Sequence, residues 1–177
     1  MGLPEDAVKV LEKYVDSALE LIDTFDKAIE KLREAEDECI RIVRRKECGD
    51  ERGCYLPVDW FLVDYERVYG TLLGKVHDEL AGKLPKDCAE VFLDFLHYLV
   101  QVAATAYPEV QYEVLRKVDE LVTLAPKVVE KCRVDPYSAG IILDRVYDIQ
   151  YAASARYMAK VKSLAKELLR KLPQLMR

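Results

Sequence analysis

Two histidines, His77 and His97, and five cysteines, Cys39, Cys48, Cys54, Cys88 and Cys132, have the widest chemical range of any side chains in this sequence. Asp94 precedes His97 by three positions, a step that puts a carboxylate and an imidazole on one helix face, as metal ligation requires. A two-metal centre built this way needs a second such pair, but Gly74 stands three positions before His77. With Asp87, Glu90, Gln101 and Thr105, Asp94 and His97 instead extend one polar stripe at helical spacing, which a solvated face explains. No Cys-x-x-Cys pair occurs, no Ser or Cys has a local base, and no glycine-rich phosphate loop is present. These features predict a non-enzymatic protein with no catalytic residue, cofactor or metal ligand.

Short likenesses to known families stop at single steps. Asp94-x-x-His97 resembles half of the ligand set of ferritin-like di-metal bundles. His77-Asp78 resembles the dipeptide of all-α metal-dependent phosphohydrolases, whose sites need another upstream histidine that this chain lacks. Leu21 to Ile29 is similar to the first helix of all-α chorismate mutases, yet Leu19 stands where the substrate-binding Arg belongs. Glu34-x-x-Asp37 and Glu47-x-x-Asp50 resemble the magnesium carboxylates of helical nucleotide pyrophosphatases, which converge from two packed helices. Here they lie on one helix and its trailing loop.

Composition bounds habitat. The 177 residues contain no Asn and only four Gln, against 27 Lys+Arg and 32 Asp+Glu. Asn and Gln are thermolabile, and surface ion pairs gain value with temperature, so the bias predicts a hyperthermophile, and the five cysteines suit an archaeal one. Intracellular proteins of such organisms carry disulfides. The first ten residues lack the cationic and apolar regions of a signal peptide, and Val91 to Tyr107 is interrupted by Asp94, His97 and Gln101. A cytoplasmic protein without membrane contact is expected.

Hydrophobic spacing predicts an all-α fold, one domain over 1–177, with about five helices and long first and last ones. Helix 1 runs from after Pro4 to about Glu47, with Val8, Leu11, Val15, Ala18, Ile22, Phe25, Ile29 and Leu32 on alternating steps of three and four. At roughly 65 Å it outreaches a compact domain, so part of it projects. A loop over Lys46 to Pro57 leads to helix 2, Val58 to Ala81. Asp87 caps a central helix 3 reaching Tyr107, helix 4 starts at Pro108 with Pro126 kinking it, and Asp135-Pro136 opens helix 5, continuing to about Leu172. Up-down packing then brings Cys88 and Cys132 to one end. Cys48 and Cys54, which flank a tight loop, are the candidate pair at the other, leaving Cys39 as a buried thiol.

Charge is the most informative asymmetry. Residues 5 to 38 hold twelve acids and five bases, while Arg156 to Arg177 hold seven bases and one acid. With helices 1 and 5 parallel, Arg41, Arg44 and Arg45 meet Arg156, Lys160, Lys162, Lys166, Arg170 and Lys171 at one end, a candidate surface for an anionic partner. The expected function is that of an interaction or scaffold protein with a protein partner or self-association. The alternative is a subunit of a cellular or viral nucleic-acid assembly that touches phosphates through this basic end.

Overall fold

A computed structural model describes residues 2–46, 49–55 and 60–177. Among them are six α-helices: α1 (Glu5–Lys46), α2 (Trp60–Lys83), α3 (Lys86–Thr105), α4 (Gln111–Lys131), α5 (Pro136–Ser154) and α6 (Met158–Leu175). Short 3-10 turns at Glu51–Cys54 and Pro108–Val110 precede α2 and α4. The class is all-α as expected, with six helices rather than five.

The extra helix comes from one turn. The periodicity reads as continuous from Pro136 to Leu172, but α5 stops at Ser154 and the chain reverses into α6. Arg156 adopts φ 66°, Arg156 N–H donates to Ala153 O at 3.0 Å, and Tyr157 N–H donates to Ala152 O at 3.0 Å. This is a Schellman closure with an arginine where glycine is usual. The end of α4 repeats it with Arg133 at φ 54°, Arg133 N–H donating to Glu130 O at 3.3 Å and Val134 N–H to Val129 O at 3.1 Å.

Central α3 packs against α1, α2, α4 and α6. Its 20 residues include an 18-residue stretch of mean hydropathy 1.2, long and apolar enough to cross a bilayer. That apolarity is spent inside the bundle, where Phe92, Phe95, Leu96, Leu99 and Val100 are fully buried. The helix begins at Lys86 with Asp87 in its first turn rather than as its cap. Asp135 does cap α5, accepting from Ser138 N–H at 3.0 Å. Pro126 lies inside α4 without ending it.

α1 carries acids in its first turn and Arg44, Arg45 and Lys46 in its last, complementing the helix dipole. Its buried residues end at Ile29. The following residues, Glu30 to Lys46, form the projecting part, steadied by Arg33 on Glu109 at 2.9 Å and by a bridge to the first 3-10 turn. That bridge joins Cys39 to Cys54, Sγ atoms 2.01 Å apart. The expected Cys48–Cys54 pair and the free buried Cys39 are therefore corrected: the 3-10 turn folds back onto α1 and brings Cys54 within 5.5 Å of Cys39, Cα to Cα. Cys48 lies outside the described residues. Cys88 and Cys132 are at bonding distance, 2.06 Å, at one end of the α3–α4 hairpin, as antiparallel packing predicts.

Candidate interaction surface

The reversal at Arg156 redistributes the basic residues. α6 runs antiparallel to α1, with Lys162 Nζ 2.8 Å from Asp26 and Arg177 3.3 Å from Glu5. Basic α6 is thus laid along the acidic half of α1 in the same molecule. Arg41 lies 15 residues beyond Asp26, about 22 Å further along the axis. The single basic end expected from parallel helices is not assembled. Arg41 pairs with Glu38 at 2.5 Å, Arg44 with Glu51 at 2.5 Å, and Lys171 with Glu167 at 2.8 Å; Arg45 is exposed. Arg170 edges the shallow α1–α6 groove, and Lys166 lines a neighbouring hollow on α6.

Lys162 is withdrawn from any outer surface. Its side chain is 14% exposed, and Nζ donates to the carbonyls of Ala103 and Ala104 at the end of α3. It also sits 4.6 Å from the ring centre of Tyr107, whose hydroxyl donates to Asp26 at 2.5 Å. A cation there caps carbonyls with no helical partner. Burial lowers the Lys162 pKa, with Asp26 opposing the shift.

The polar stripe of α3 is solvated only at its start. Asp87, Glu90 and Asp94 are exposed, but Gln101 and Thr105 are buried and His97 is half-buried, because α1, α2 and α6 close over the later turns. The His97 ring stacks on Tyr69 with centroids 4.5 Å apart and planes 8° from parallel. Its Nε2 is 3.0 Å from Glu66, without the alignment of a hydrogen bond. His77 meets the other side of this cluster, edge-on to Tyr69 at 6.2 Å. Beneath it the hydroxyls of Tyr14 and Tyr69 share a 2.8 Å hydrogen bond, and burial pushes Tyr69 up to about 12. Among the described residues no three His, Cys, Asp or Glu side chains converge as metal ligands.

Burial also lowers the His97 pKa, against the raising effect of Glu66 and alongside repulsion from His77 and Lys117. Below the ordinary value near 6.5, the unfolded chain binds a proton that the native ring resists. The His97 contribution to stability is therefore complete above pH 6.5 and is lost as pH falls through the depressed native pKa. Denaturant midpoints from pH 7.5 down to 4.5 are expected to decline less in His97→Gln than in the parent; equal slopes would show that His97 titrates normally.

The surface that sequence reasoning passed over is aromatic. Among the described residues seven large apolar side chains are exposed, and six of them are tyrosines. Four surround the α5–α6 turn: Tyr112, Tyr147, Tyr151 and Tyr157, from 53% to 79% exposed. Tyr147 and Tyr151 are neighbours at i, i+4 on the outer side of α5. Tyr157 stands in the turn, and Tyr112 joins from α4 because the Arg156 guanidinium lies 4.9 Å over its ring. Tyr151, Tyr157, Ala152 and Leu164 line a groove of about 390 Å³ with Arg145 and Lys160 at its edge. Two carboxylates of that groove are already engaged: Asp148 by Arg145 at 3.5 Å, and Glu167 by Arg145 at 3.6 Å and Lys171 at 2.8 Å. Comparison with protein-family models, curated proteins and solved structures finds no match to this chain.

Proposed function

We propose that this protein is a non-enzymatic helical interaction module whose docking face is the tyrosine-rich surface around the α5–α6 turn. The observation that carries this reading is the concentration, at one end of the bundle, of four of the six exposed tyrosines among the described residues. A tyrosine left in water exposes apolar area without stabilising the fold, and tyrosine and arginine are enriched where partners bind most strongly. The composition supports a thermophilic setting. A second reading, a subunit of a nucleic-acid assembly, is favoured by Arg156 and Lys160 flanking Tyr157; its phosphate contacts would come from this turn rather than from a shared end of two parallel helices.

Y151A/Y157A tests the first reading. Both side chains are exposed, so the variant is expected to unfold within about 0.5 kcal/mol of the parent. Native mass measured on protein purified from its source should show the parent above its 20.3 kDa monomer, carrying an associated macromolecule or a second copy, and the variant as a bare monomer. Equal association of the two proteins would remove the tyrosine face from the proposal.

A further inference from the structure

Two cations of the tyrosine face stand outside its ion pairs, against one exposed carboxylate, Asp144, a helical step from Tyr147, and this balance narrows the partner. Arg156 and Lys160 form no close ion pair with a described carboxylate, whereas Asp148 is held by Arg145 and Glu167 by Arg145 and Lys171, with Lys160 acting on Glu167 only at longer range. Exposed rings with exposed cations beside them, Arg156 resting on Tyr112 and Lys160 at the groove edge, suit a ligand that alternates a stacking face with an anionic link. We infer that this face binds single-stranded nucleic acid, with Tyr151 and Tyr157 stacking bases and Arg156 and Lys160 contacting phosphates. The inference rests on the reading of this face as the docking surface.

A duplex hides its base faces, so it can engage only the cations, whereas a single strand can use rings and cations together. Two phosphate contacts on a single strand give a slope of about −1.4 in log affinity against log salt. Between 50 and 200 mM salt the affinity should thus fall only about sevenfold. Each stacked base is worth roughly tenfold or more in affinity.

The experiment is fluorescence anisotropy of a short labelled oligothymidine, and of a duplex of equal length, with the whole protein across that salt range. The parent should bind the single strand more tightly than the duplex. Y151A/Y157A should lose about 100-fold while keeping the salt slope. R156G/K160A should lose the slope while keeping the preference for the single strand; glycine is chosen at position 156 because the backbone there is left-handed. Far-ultraviolet dichroism shows that each variant is folded. Absence of binding at 50 mM salt, equal binding of duplex, or unchanged binding by Y151A/Y157A would each overturn the inference. If no oligonucleotide binds but Y151A/Y157A still loses its associated protein or second copy, the docking face stands and the single-strand assignment falls.

Discussion

Replacing Cys88 and Cys132 by alanine is expected to lower unfolding free energy by about 4 kcal/mol, read as a shift in denaturant midpoint under non-reducing conditions. The bridge spans 44 positions, and its removal returns that much loop entropy to the unfolded chain. Both cysteines are buried and tie α3 to the end of α4, so the loss bears on the whole core. The second bridge, over 15 positions, gives about 3 kcal/mol in the same calculation, yet behaves differently. It holds a part of α1 with no buried residue after Ile29, so opening it frees the arm without exposing the core. C39A/C54A should leave the core midpoint nearly unchanged and speed proteolysis near Glu51–Cys54. Equal midpoint losses for the two pairs would show that the arm folds as one unit with the bundle.

Asp26→Ala is expected to cost about 3 kcal/mol. The substitution leaves Lys162 buried without its counter-ion and Tyr107 without its acceptor. Fully buried pairs lose 3–5 kcal/mol when broken this way; Asp26 is 32% exposed, which places the value at the low end. Lys162→Met keeps the packed stem and removes the stranded charge, so its cost is the unsatisfied end of α3, about 1–2 kcal/mol. Adding it to Asp26→Ala should recover part of the Asp26 loss. Additive losses in the double variant would mean that the two side chains are not coupled.

Much of the architecture was legible because the signals were local. The seam from Val8 to Ile29 defines the buried face of α1, Asp135-Pro136 marks the start of α5, and the antiparallel hairpin aligns Cys88 with Cys132. The α5–α6 turn was not legible, because Tyr-Ala-Ala-Ser-Ala-Arg-Tyr contains no Gly or Pro and its alanines favour helix. Packing of α6 on α1 and α3 overrides that preference. Missing this single reversal misplaced the basic residues, since the direction of α6 decides whether its cations face Arg41 or Asp26. The tyrosine face left a fainter trace: Tyr147 and Tyr151 are out of phase with the buried Ile142, Val146 and Ile149 of the same helix. Such a second apolar stripe is visible in sequence, but its exposure depends on where the neighbouring helices pack.

The left-handed arginine at the α5–α6 turn also governs which molecule α6 belongs to. Were Arg156 to relax into helical geometry, α5 and α6 would run as one rod roughly 60 Å long, as the local sequence prefers. The apolar face of α6, and the cations that meet Asp26, Glu5 and Glu12, would then leave their own bundle. An identical vacancy in a second chain would accept them, giving a domain-swapped pair with every contact conserved and only the hinge changed. Monomer and swapped pair would differ in enthalpy chiefly by the cost of two strained residues, about 1–2 kcal/mol each, so protein concentration during folding would set their ratio.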